Sequence, residues 1–91
     1  MTFGNLIRQH RHDRGLTLLE VAAQIDISVP YLSRIERNRE YAPSDDMIRR
    51  LAAVLNIAED DAFAAAGRLP PDLQKRARDV FAHYRRMSQS R

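Results

Sequence analysis

The chain has 91 residues, 44% hydrophobic and 30% charged, with a formal net charge of +3 and no cysteine. That is one domain's worth of chain with a single modest core, and without cysteine it has no disulfide, thiol nucleophile or zinc–thiolate site. The longest apolar runs, 51–55 and 62–66, are too short to span a bilayer, and the first residues lack the apolar stretch of a signal peptide. A cytoplasmic protein with no membrane partner is expected. Charge is unevenly spread: residues 72–91 carry six basic groups against two acidic ones, residues 1–71 nine against ten. Bulk attraction to nucleic acid would therefore act through the tail.

Taken in chain order, nearly every segment carries helical periodicity. The first helix is expected from about Thr2 to Arg14, with Phe3, Leu6, Ile7 and His10 at helical spacing and Gly15 as its left-handed stop. Thr17 with Glu20 three residues on makes a capping box, and the helix it starts turns Val21, Ala22 and Ile25 to one side. Asp26 falls at a tight turn. Ser28 caps a third helix whose first turn holds Pro30 and whose buried positions are Leu32 and Ile35. A polar loop, 38–43, leads to Ser44, the cap of a fourth helix that opens with Asp45 and Asp46 and buries Ile48, Leu51, Ala52 and Leu55. A short fifth helix is expected over Glu59–Ala66, ended by Gly67. After the break at Leu69-Pro70-Pro71, Asp72 is expected to cap a sixth helix. In that helix Leu73, Val80 and Met87 recur every seven residues, with Ala77, Phe81 and Tyr84 on the same face. The expected fold is all-α: a five-helix domain over 1–67 and a C-terminal sixth helix over 68–91.

Two helices joined by a tight turn, the second projecting outward, form the unit that fits a DNA major groove. The unit needs a small residue where the helices cross, met by Ala22, and a turn residue tolerant of positive φ, met by Asp26. Ile27 plugs the core after the turn, and Leu32 and Ile35 anchor the projecting helix from below. The stretch from Thr17 to Asn38, above all Tyr31-Leu-Ser-Arg-Ile-Glu-Arg37, closely resembles the Cro/repressor-type (XRE) helix-turn-helix family. Ile7 to Leu16 upstream, and Pro43-Ser44, Leu51-Ala52 and Leu55 downstream, extend the resemblance over about residues 3–66.

The resemblance implies that the third helix lies in the major groove, with Val29, Pro30, Tyr31, Ser33 and Arg34 toward the bases. It implies phosphate approach by Ser28, by Thr17 and Leu18, by Asn38 and Arg39, and by Ser44. Arg34 is the candidate base reader, since a guanidinium can engage guanine O6 and N7 together. Val29 and Pro30 carry no hydrogen-bonding side chain, which leaves a thymine methyl contact and groove shape for them to sense. Tyr31 is read as a contact, its alternative being a partly buried ring. Arg11 and Glu36 are implied to pair, tying the first helix to the end of the third.

Other chemistry finds little support in the sequence. His10 and His12 face different ways on one helix, His83 is remote, and no metal is expected. Glu59-Asp60-Asp61 stands at a helix start, where it offsets the helix dipole. No Ser/His/Asp order, phosphate loop or HExxH pattern is present, so neither an enzyme nor a cofactor is expected. The sixth helix has two readings: its stripe (Leu73, Val80, Phe81, Tyr84, Met87) packs back on the domain, or it pairs with a second copy. Operators of the family are usually inverted repeats, read by two-fold dimers with recognition helices about 34 Å apart. The expected function is a homodimeric regulator, a repressor of transcription, that binds double-stranded DNA. The alternative is an antitoxin-like interaction module in which a regulatory protein partner is primary and DNA binding secondary.

Overall fold

The computed structural model describes residues 1–41 and 43–89; Arg91, part of the basic tail, lies outside them. The chain forms α1 (Phe3–Asp13), α2 (Leu18–Gln24), α3 (Val29–Glu36), α4 (Asp45–Leu55), α5 (Glu59–Ala65) and α6 (Pro71–Gln89). Among the described residues there is no strand. Four helices begin on a hydroxyl that accepts an otherwise orphaned backbone N–H: Thr2 from Asn5, Thr17 from Glu20, Ser28 from Tyr31 and Ser44 from Met47. Thr2, expected inside the first helix, is its cap. At α2 the box is reciprocal, since Glu20 Oε1 accepts the Thr17 N–H at 3.1 Å. α5 starts at Ala58 with no side-chain cap and relies on its three first-turn acids.

The expected cap of α6 needs correction. The helix begins at Pro71, so Asp72 lies within its first turn rather than before it. Proline suits a first helical position because its φ is preset and its missing N–H would have had no partner there.

The first five helices also end alike. In each, one left-handed residue turns the chain: Gly15, Asp26, Asn38, Asn56 and Gly67, at φ between 54° and 72°. The next N–H then reaches back five residues: Leu16 to Arg11, Ile27 to Ala22, Arg39 to Arg34, Ile57 to Ala52 and Arg68 to Phe63, at 2.8–3.0 Å. These bonds satisfy carbonyls that the helix itself cannot pair. Leu16, Ile27 and Ile57 follow the turn residue and fold inward, which adds an apolar contact to each stop.

α1 packs on α3, α4 and α5, α2 on α3, and α4 on α5. Ile7, Val21, Leu32, Ile48, Leu51, Leu55 and Phe63 are the largest fully buried side chains, and the hydrophobic core lies wholly within residues 3–63. α6 runs outward, giving a molecule 59 Å long and 23 × 22 Å across. Leu73 and Ala77 are half-buried, whereas Val80, Phe81, Tyr84 and Met87 are all more than 60% exposed. The reading in which the stripe packs back on its own domain therefore fails for the outer half of the helix.

α1 meets the end of α3 at very close range. The Gly4 N–H donates to Asn38 Oδ1 at 3.1 Å, and a β-carbon on Gly4 would collide with the Ile35 carbonyl oxygen and lie 2.8 Å from that of Glu36. Alanine ordinarily stabilises a helix by about 1 kcal/mol over glycine. Here the collision reverses the sign, and Gly4→Ala is expected to cost about 1–3 kcal/mol. Thermal unfolding checks this: the variant should melt several degrees lower, and a higher melting temperature would contradict the close approach.

Candidate nucleic-acid interface

α3 is only eight residues long and is aimed by what it buries. Leu32, Ile35 and Glu36 are at most 5% exposed, which leaves Val29, Pro30, Tyr31, Ser33, Arg34 and Arg37 on the outward side. Pro30 sits in the first turn, and the Ser28 hydroxyl accepts the Tyr31 N–H at 3.1 Å. A hydroxyl that caps a helix by accepting keeps its own O–H to donate, so Thr17, Ser28 and Ser44 each retain a donor suited to a phosphate oxygen.

The helix is locked from below by an ion pair. Arg11 Nε and Nη2 donate to Glu36 Oε2 and Oε1 at 2.7 and 2.9 Å, and Arg11 Nη1 donates to the Leu16 carbonyl at 2.9 Å. Both residues are buried, at 8% and 5% exposure. Hydrogen bonding to Glu36 raises the Arg11 pKa above its ordinary value, desolvation opposes this, and Coulombic attraction to the same carboxylate adds to it. Because the folded-state value is raised, the contribution is complete below the unfolded arginine pKa and is lost only in strong alkali. The pair thus stays formed on the basic side throughout the physiological range.

Arg34, the expected base reader, is about half exposed and does not project freely. Its Nε donates to Glu40 Oε2 at 2.8 Å, and its Cζ stands 5.8 Å from the centre of the Tyr31 ring. Tyr31 is itself half-buried against the core, a packed ring with part of its surface outward. Leu18 and Ser33 come together with Arg8 and Arg37 in a shallow cleft of about 170 Å³, whose other walls are Arg11 and Glu36. Leu18 packs partly on the core. Asn38 is differently engaged from the phosphate contact expected of it: its carbonyl oxygen receives the Gly4 N–H and its amide faces Asn5 at 3.4 Å. Arg39 is exposed.

Two residues of this surface escape a reading of the sequence. Arg37 is exposed one turn beyond Arg34, and helical spacing alone could have found it. Glu40 lies in the loop after α3, where no periodicity marks it as the partner of Arg34. No group of three or more His, Cys, Asp or Glu side chains converges among the described residues.

The helix-turn-helix family pattern matches residues 7–61, from the middle of α1 into α5. The chain belongs to the XRE-type helix-turn-helix family of transcriptional regulators. Within this helix-turn-helix family it is 32% identical to the regulator SinR of Bacillus licheniformis, over 87% of this chain and 77% of that protein. Among solved structures it is similar to SinR in complex with DNA, with a TM-score of 0.60 and 34% identity over 64% of this chain and 92% of that one. It is also similar to the SinR–SinI complex, with a TM-score of 0.63 and 26% identity over 99% of this chain and 100% of that one. As in any helix-turn-helix unit, the turn residue matters. Here Asp26 takes it up at φ 57°.

Removing one partner of a buried bidentate pair strands the other charge. Glu36→Ala is therefore expected to lose about 3–5 kcal/mol, a large part of the stability of a small domain. Urea unfolding reads this directly. Replacing both partners with Arg11→Met and Glu36→Leu should cost less than either single change, because no charge is then left buried. An unchanged midpoint in Glu36→Ala would show that the pair does not hold α3.

Proposed function

We propose that this chain is a sequence-specific regulator that represses transcription by binding an inverted-repeat operator as a homodimer, with α3 in the major groove. The observation that supports this most directly is the division of α3. Its inner side is held by Leu32, Ile35 and the Glu36 ion pair, while Arg34, Ser33 and the Val29-Pro30-Tyr31 turn face outward. A short helix held this rigidly serves to present side chains to a surface. Arg34 reads a guanine, and Val29 and Pro30 sense a methyl group or the shape of the groove. Thr17, Ser28, Ser44 and Arg39 position the protein on phosphates. The protein works in the cytoplasm and has no catalytic role.

Dimerisation is assigned to α6. Val80, Phe81, Tyr84 and Met87 form an exposed apolar stripe on one helix, and a soluble chain rarely leaves such a patch uncovered. A second copy of the same helix offers the matching seven-residue stripe. A regulatory protein partner is the second reading for this face, favoured by the likeness to a regulator solved with its protein partner.

The decisive experiment is selection of random duplexes by the purified protein at near-physiological salt. One inverted repeat should be enriched, and Arg34→Ala should weaken binding by about 1–3 kcal/mol per half-site, roughly 5- to 150-fold for each, with the preference relaxed at one base pair per half-site. Retention without enrichment, falling steeply with salt, would reduce the protein to charge-driven binding. Sedimentation checks the dimer: concentration-dependent association should vanish in Phe81→Glu/Tyr84→Glu with no change in thermal stability. A wild-type monomer at tens of micromolar would turn the stripe over to the partner-protein reading.

A further inference from the structure

Arg34 carries an unusual amount of local restraint for a surface side chain. A free arginine on a helix samples many rotamers, and a ligand that must hold one of them loses affinity to the side-chain entropy it removes. Here two groups of the same chain already do so. Glu40 takes the Nε–H at 2.8 Å, and the Tyr31 ring lies beneath the guanidinium carbon at 5.8 Å. The Glu40 side chain is 29% exposed, against 46% for Arg34, so the carboxylate is the better-held member of the pair. Its loop is anchored immediately upstream, where the left-handed Asn38 is bound to α1 and the Arg39 N–H closes on the Arg34 carbonyl at 2.9 Å.

We propose that Glu40 is a specificity-determining positioning residue, acting through Arg34; this rests on α3 being the base-reading helix. The contact is made by Nε, so the two terminal nitrogens at the far end of the guanidinium remain to face guanine O6 and N7 together. A carboxylate fixed behind the arginine has a second effect. It is repelled by phosphate, so it lowers affinity for every duplex, while the guanidinium it holds in place favours the guanine site relative to the rest. Glu40 trades general attraction for discrimination.

The test uses the full chain and the duplex enriched from a random library, with companion duplexes carrying adenine at each guanine of the half-site in turn, the ratio being read at the position where Arg34→Ala changes it most. The pair is solvent-exposed and worth little to folding, so Glu40→Gln and Glu40→Ala should melt within a few degrees of the parent. Both variants should bind unrelated DNA as tightly as the parent or tighter. Their guanine-over-adenine ratio should fall at least about 5-fold, toward the Arg34→Ala value. In an Arg34→Ala background, Glu40→Gln should leave the ratio unchanged. If Arg34→Ala collapses the ratio and Glu40→Gln preserves or raises it, Glu40 does not position the reader, and the proposal fails while α3 stands. If Arg34→Ala itself leaves the ratio intact, the base-reading assignment and the proposal fail together.

Discussion

A guanidinium from α1 and a carboxylate from the last residue of α3 meet below the surface in two parallel hydrogen bonds of 2.7 and 2.9 Å. α3 is too short to be stable alone, and its apolar anchors Leu32 and Ile35 fix how deeply it sits without fixing how it is rotated. Burial of hydrocarbon is non-directional, whereas a bidentate arginine–carboxylate pair has a required plane and approach. The third guanidinium nitrogen is held by the Leu16 carbonyl, just past the end of α1, so the same group also fixes where that helix stops. Desolvating two charges is costly, and the return is an angular constraint on the outward side chains.

Much of this was legible in the sequence because it depends on local chemistry. Thr17 with Glu20, Ser28 with Pro30, and Ser44 with two following acids are each complete signals for a helix start, and the apolar spacing of α4 leaves one buried face. The helix ends were half legible. Gly15 and Gly67 announce a left-handed stop, but Asn38 and Asn56 make the same turn and read in sequence as ordinary polar loop residues. Gly4 could not be recognised at all, since glycine near a helix start carries no signal and the need for it comes from the Ile35 and Glu36 carbonyls of another helix. Phe63 is a similar case: within an alanine-rich turn it shows no period, yet it is completely buried in the finished core.

The candidate interface divides along the same line. Arg34 was legible from its place on the outward side of α3, because a helix's two sides follow from its spacing. Its partner Glu40 was not, because a loop residue's neighbours are set by tertiary geometry. Asn38 is a further case: its side-chain oxygen receives the Gly4 N–H and its amide nitrogen faces Asn5 at 3.4 Å, contacts with α1 that a polar residue after α3 does not announce. Charge behaves similarly. Net positive charge concentrates in α6, whereas two arginines of the helix-turn-helix region, Arg11 and Arg34, are matched by carboxylates. Net positive charge and carboxylate-matched arginines thereby fall in different parts of the molecule.

The outward run of α6 has an evolutionary consequence. The hydrophobic core ends at Phe63, and every residue from 78 to 88 is exposed. Substitutions along that stretch meet no packing constraint from the five-helix domain, so duplicated copies of such a gene can drift there without unfolding. Descendants could diverge along α6 while the five-helix domain, and with it the outward side chains of α3, stayed unchanged.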